Sequence, residues 1–398
     1  MADIRDYLKE KEKREKARGD YRNKIARHKL TTVYRILLVL VIIAAVIALV
    51  VVQYNRRIFT GYETLTSIPR EKAADTTDVR LRDAVLSYSK DGAHCTNGKG
   101  TVTWNQTYEI QDVKIAKCMD VAAIADYNGR SIYVQSVDKV LGQITTTMPI
   151  QNIAVSANGN VTAVLEDKDI TWVNTYNANG EMLYTGQTHM HDSGYPAAIS
   201  LSPNGDLLAV SYIYVDAGEL KSNVVFYNFG PVGANQSDYL VSTHIYTDQL
   251  VPELHFMNDN TAFAVSDSSL MIFKGSQKPT QEASYFYDNE VQSVFYDENY
   301  IGIVFLSDNS ESTYKIEVYG TDGKRVGTYY FDLDYRQLFF GKDYFTVYNE
   351  TECMIMTLEG TEKYNGSFTK AVNLMLPTNR AYKFMLVTDN SIDTIQLK

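Results

Sequence analysis

The densest polar constellation in the chain is His189-Met190-His191-Asp192-Ser193-Gly194-Tyr195-Pro196. In an extended segment His189 and His191 alternate onto one face, and with Asp192 they offer the nitrogen and oxygen donors that zinc takes. A structural zinc site wants four such ligands and a catalytic site three, and nothing in the sequence identifies the others. His189, His191, Asp192 and Tyr195 are therefore read as candidate ligand-binding residues. An ordinary connecting loop is the alternative, and no metal is assigned. Cys95, Cys118 and Cys353 are an odd and scattered set, so no disulfide framework holds the fold. Each reads as a small apolar residue on a strand, with a Cys95–Cys118 bridge left open.

Other chemistry-bearing patterns fail on spacing. No Gly-x-Ser-x-Gly, His-Glu-x-x-His or Cys-x-x-Cys occurs. The stretch 92–100 (GAHCTNGKG) has five residues between its first two glycines where a phosphate loop has four. It also places Gly100 where Ser or Thr would hold magnesium, so it reads as a hairpin turn. Asp288-Asn289-Glu290 and Asp332-Leu333-Asp334 lack calcium-loop spacing and read as soluble connecting loops. No catalytic residue and no cofactor is assigned. The net charge of −10 repels phosphate backbones and argues against nucleic acid as a partner.

The elements that must carry these residues are short strands. Beyond Gly61, alternating apolar runs are punctuated by Asn-Gly, Asp-Gly and Ser-Asp turns, with no helical period. Thirty Tyr and fifteen Phe suit pleated surfaces. Residues 153–164 (IAVSANGNVTAV) and 199–210 (ISLSPNGDLLAV) match at six of twelve positions, each a strand, an Asn-Gly turn and a strand. Asn-Gly predicts a two-residue type I′ hairpin here. Residues 285–304 and 329–348 also align without a gap.

Carrying that frame along the chain places equivalent strand starts near Val79, Val113, Ile153, Ile199, Leu254, Val294, Leu338 and Val372. The spacing averages about 42 residues, the length of a four-stranded propeller blade. Asn97-Gly98, Asn179-Gly180 and Asp322-Gly323 fall where third and fourth strands should meet. The expected fold is all-β, an eight-bladed β-propeller over 62–398, with seven blades as the alternative. The last unit supplies only three strands. Residues 62–68 (YETLTSI) are its natural fourth, closing the ring and removing an open sheet edge.

Residues 85–104 (VLSYSKDGAHCTNGKGTVTW) resemble a repeat of the quinoprotein-like propellers. The Ser-Pro-Asn-Gly of 202–205 resembles the Ser-Pro-Asp-Gly turn of WD-repeat blades. Through SYSKDG (87–92), SGYP (193–196), LAVSYIYVDAGELKSNVVFYNFG (208–230) and GSQKP (275–279), residues 62–398 resemble an uncharacterised bacterial family of membrane-anchored propellers, a domain of unknown function. The resemblance implies an extracytoplasmic propeller and lends no activity. Quinoprotein dehydrogenases seat their quinone over adjacent, disulfide-linked cysteines. This chain has no such pair, so the cofactor is not carried over.

Residues 36–52 (ILLVLVIIAAVIALVVV) are seventeen uncharged apolar residues, flanked by Tyr34 and Tyr54 at the places of interfacial aromatics. The charged 1–33 reads as a cytoplasmic helix, 34–54 as an uncleaved transmembrane helix and 55–61 as a linker. Glu10–Arg14 and Glu12–Lys16 are expected as i,i+4 pairs in the first of these. Residues 1–35 carry twelve Lys/Arg and six Asp/Glu, net +6, and the remainder is net −16. The positive-inside rule then places the N-terminus in the cytoplasm and the propeller outside, a single-pass arrangement at the cell membrane with lipid around the anchor. The functional expectation is a binding or scaffolding module for an envelope protein, peptide or glycan. The alternative is an envelope hydrolase or lyase whose carboxylate, His or Tyr residues converge on the propeller funnel.

Overall fold

A strand buried on both faces is apolar without interruption, whereas one at a sheet edge alternates. Both textures occur along the chain, and the strands take their places accordingly. The computed structural model of the chain describes residues 3–55, 57–168, 170–189 and 194–398. These form two compact units, one ending at Ile58 and the other comprising Phe59–Lys398. The second is an eight-bladed β-propeller of eight four-stranded antiparallel sheets. Second strands such as Val121–Asp126 and Thr261–Val265 are almost wholly buried, while the outermost strand Leu240–Thr247 alternates.

The innermost strands are Thr77–Leu81, Val113–Cys118, Ile150–Val155, Tyr195–Leu201, Glu253–Asn258, Val291–Tyr296, Gln337–Phe340 and Leu374–Pro377, in blades 1 to 8. Seven of the eight expected starts fall inside them, and Val372 lies two residues ahead of Leu374. The last blade takes its outermost strand, Tyr62–Pro69, from the opposite end of the ring, paired to Ser391–Leu397 from Tyr62↔Leu397 to Pro69↔Ser391. The closure expected for 62–68 is thereby formed.

Eight apolar clusters each span one pair of neighbouring blades, so the core is a ring of eight interfaces. Blades 4 and 5 meet through Leu207, Phe226, Leu254 and Phe273, and blades 2 and 3 through Val134, Ile144, Ile150 and Ala163. Each Val, Leu, Ile or Phe among them contributes about 1.5–3 kcal/mol by leaving water. The seam between blades 8 and 1 holds the smallest cluster, Val85 against Leu374, Leu376, Met385, Val387 and Ile392.

The Asn-Gly hairpins differ from the type I′ expectation. Ser156 N–H donates to Asn160 O at 2.9 Å and Gly159 N–H to Ser156 O at 3.1 Å, closing a three-residue loop. Only Gly159 has positive φ, +89°, whereas type I′ needs it at both central residues. The glycine closes a tight turn with a bulge after it. Gly205 does the same in the 202–205 turn, with φ +78°. A register shift recurs between third and fourth strands, as at Thr175/Tyr176 and Phe226/Tyr227, and increases the twist of the blades.

The other unit contains one uninterrupted helix, Asp3–Asn55, which runs through both the charged and the apolar stretches. Within it His28–Leu49 is long and apolar enough to cross a membrane, and its described side chains from Val33 to Leu49 are exposed. At about 1.5 Å per residue it matches a bilayer core. Arg14 reaches Glu10 at 3.5 Å, and the expected Glu12–Lys16 pair does not close.

Candidate functional site

The expected constellation is only partly placed. The backbone of His189 ends the strand Met182–His189, opposite Ile170. His191 and Asp192 lie outside the described residues. Tyr195 opens the innermost strand of blade 4, half-buried, and burial pushes its hydroxyl pKa up, with Glu166 and Tyr127 adding to the effect. Among the described residues no three His, Cys, Asp or Glu side chains come together as a metal site.

The three thiols are free and lie on strands of blades 1, 2 and 7, with Cys95 and Cys353 buried and Cys118 half-buried. None is adjacent to another. Burial pushes Cys95 and Cys118 up to about 11, keeping both protonated near neutrality.

A polar cluster not anticipated from the sequence lies around the propeller axis. The innermost strands of neighbouring blades pack side by side, so their polar side chains gather in a central channel. His255, in Glu253–Asn258, stacks on Tyr296, the last residue of Val291–Tyr296, with ring centroids 4.5 Å apart. The Tyr296 hydroxyl and His255 Nδ1 are hydrogen-bonded at 3.0 Å, and His255 Nε2 lies 4.0 Å from Glu253. Tyr296 keeps 42% of its surface and the His255 side chain 34%. Both are nevertheless surrounded closely enough by protein to be desolvated. Desolvation lowers His255 to about 4 and raises Tyr296 and Glu253. At neutral pH the imidazole is thus neutral and the phenol protonated.

Toward the channel mouth the cluster becomes cationic. Arg80 and Lys117 each take the penultimate position of an innermost strand, in blades 1 and 2. Phe339 takes the same position in blade 7, and the Arg80 guanidinium lies 5.9 Å from its ring centroid. Arg80 Nε donates to Arg82 O at 2.8 Å, and Lys117 Nζ donates to Arg80 O at 3.3 Å. Desolvation lowers both cations. For Arg80 the carboxylates of Asp297 and Asp83 and the hydroxyls of Tyr344 and Tyr348 oppose it. Asp297, across the axis in blade 6, accepts N–H bonds from Asn299 and Tyr300 at 2.8 Å each. The signal that could have found Arg80 and Lys117 is positional: one slot of the repeat frame, two residues before the first turn, is charged in successive units.

The long connection at 230–237 forms two short 3₁₀ turns, Gly233–Asn235 and Ser237–Tyr239. Tyr239 closes against Tyr184 and Phe229, with centroids 5.7 and 6.2 Å apart. The loop is therefore seated on an aromatic cluster between blades 3 and 4.

Residues 54–397 match the model of a protein family described as a family of unknown function, DUF5711. The chain belongs to the DUF5711 family. No curated protein matches it. Among solved structures, BamB from Moraxella catarrhalis is similar with a TM-score of 0.50 and 12% identity, over 84% of this chain and 100% of that one. A eukaryotic initiation factor is similar with a TM-score of 0.49 and 12% identity, over 78% and 85%. At such identities the likeness of this DUF5711 chain to BamB is one of fold alone.

Proposed function

We propose that this DUF5711 protein is a membrane-anchored binding or scaffolding module, with its propeller outside the cytoplasm and its ligand taken at the channel mouth. The observation that carries the reading is the electrostatic state of the axial cluster. His255, at about 4, is a weak base near neutrality, and Tyr296 is held as the phenol. Both are poised to hydrogen-bond a guest more than to move its protons. The apolar His28–Leu49 and the basic excess before it support an anchor with the N-terminus in the cytoplasm.

Two measurements test this. Protease added outside intact cells should digest the propeller and spare residues 1–35, and protection of the propeller would overturn the orientation. Cross-linking of the full chain in the membrane should capture an envelope protein, peptide or glycan, and Arg80→Gln with Lys117→Gln should release it. Capture unaffected by those substitutions would move the binding surface away from the channel mouth.

The second reading is an envelope hydrolase or lyase, favoured by the Glu253–His255–Tyr296 succession of carboxylate, imidazole and phenol. The 4.0 Å gap between His255 and Glu253 is longer than a hydrogen bond. Turnover of an envelope substrate that His255→Gln abolishes would establish it in place of the first.

A further inference from the structure

A cavity of about 310 Å³ opens between blades 8 and 1 at the channel mouth, lined by Arg80, Arg82, Asp83, Pro377, Thr378 and Asn379. This is the lower end of the size of small-molecule sites. Its chemistry is out of keeping with the rest of the propeller. Residues 36–398 are net −16, yet this cavity carries two arginines against one carboxylate, with Lys117 bonded to the Arg80 carbonyl behind it.

Among the described residues neither Arg80 nor Arg82 makes an ion pair. Arg80 is fixed through Nε–H to the Arg82 carbonyl and by its approach to the Phe339 ring, and among the described residues its two terminal NH₂ groups have no hydrogen-bond acceptor. Arg82 holds positive φ, +56°, in the two-residue turn after Thr77–Leu81, a conformation unusual for a residue with a side chain. That turn is what aims the Arg82 carbonyl at Arg80. A guanidinium partly withdrawn from water and orientationally fixed, with Asp297 and Asp83 acting on it only through space and not in contact, has strong donors ready for a planar or tetrahedral oxyanion.

The larger cavity, about 500 Å³ beside Ser67, Lys370 and Ser391, offers no such opening. There Lys370 is paired with Asp393 at 2.9 Å, and Thr388 with Ser391 at 3.0 Å.

We propose that the Arg80–Arg82 cavity binds the oxyanion, carboxylate or phosphate, of a small solute or ligand terminus. The proposal deepens the binding reading above and rests on it. Full-length protein in detergent is titrated calorimetrically with inorganic phosphate and, separately, with succinate, at constant ionic strength set by sodium chloride. Saturable binding near millimolar Kd is expected for at least one, as suits a few charge-assisted hydrogen bonds. Phosphate alone would mark the ligand as a phosphoryl group, succinate alone as a carboxylate, and both as an oxyanion recognised by charge and fork geometry.

Arg80→Gln should weaken binding about tenfold or more. Arg82→Gln, at an exposed turn where folding is not at stake, should also weaken it. Lys324→Gln, which removes a cation of a distant outer turn, should leave it unchanged. Binding of neither anion, or equal binding by wild type and both arginine variants, overturns the proposal. If cross-linked partner is still captured in that event, the binding module stands and only its ligand class is wrong.

Discussion

Asp78 should be among the most costly single side chains to remove from the propeller, because it closes the ring where apolar packing is thinnest. Arg70 follows the outermost strand of blade 8, and its Nη2 donates to Asp78 Oδ1 and Oδ2 at 2.7 and 2.9 Å, in the innermost strand of blade 1. Ser87 Oγ donates to the same carboxylate at 2.6 Å. The side chains of Arg70 and Asp78 are 11% and 1% exposed, so water cannot replace either partner. Asp78→Ala leaves a buried guanidinium uncompensated, and Arg70 Nη1 already lacks a partner. Such a loss costs about 3–5 kcal/mol. Phe59–Lys398 is 340 residues, and at about 2.1 cal/mol/K per residue its unfolding entropy is about 0.7 kcal/mol/K. The melting temperature followed by circular dichroism should therefore fall by about 4–7 °C. Arg70→Met combined with Asp78→Leu, which removes both charges and fills their space, should recover more than half of that loss. A single Asp78→Ala variant melting within about 1 °C of wild type would refute the argument.

The remaining expectations concern other parts of the ring. A chain beginning at Asp75 lacks Tyr62–Pro69, exposes the edge strand Ser391–Leu397 and should aggregate or melt earlier; an unchanged, monodisperse product would contradict the closure. A thiol reagent at neutral pH should leave Cys95 and Cys353 unmodified in the folded protein, and denaturation under non-reducing conditions should release three reactive thiols; only one would reveal a disulfide. His255 is lowered in the folded state, so the unfolded chain takes up its proton first as pH falls. Stability should therefore be lost between about pH 6.5 and 4, with Glu253, raised by burial, opposing part of the effect, and His255→Gln should flatten that limb of the profile relative to wild type.

The architecture was legible because a propeller writes its period into the chain. Second strands such as Thr261–Val265 are buried on both faces and read as unbroken apolar runs, and the turns between strands recur at blade spacing. The missing fourth strand of the last unit pointed directly at 62–68. What failed was local. Asn158-Gly159 was read as the centre of a two-residue turn, but the bulged loop shifts glycine to its last position. The axial cluster failed for a different reason. Arg80, Lys117, His255 and Tyr296 are dispersed over more than two hundred residues, and only the circular arrangement of blades gathers them. A compact motif such as 189–195 draws the eye, whereas a ring collects one residue from each turn of its repeat.

Closure and the proposed anion site meet at the same seam. Blades 8 and 1 share the smallest apolar cluster, and the Arg80–Arg82 cavity opens between the same two blades. A well-packed interface there would be more stable and would have no room for a guest. The Arg70–Asp78 pair adds a polar tie at this seam, on the same innermost strand and two residues from Arg80. Asp78 and Arg80 lie on the same short strand, Thr77–Leu81, so the polar tie that closes the ring also fixes the strand that presents the cation. Loosening the tie should therefore weaken anion binding as well as stability, even though Asp78 does not line the cavity. An Asp78→Ala protein that melts early yet binds phosphate and succinate with wild-type affinity would show that the two roles are separable.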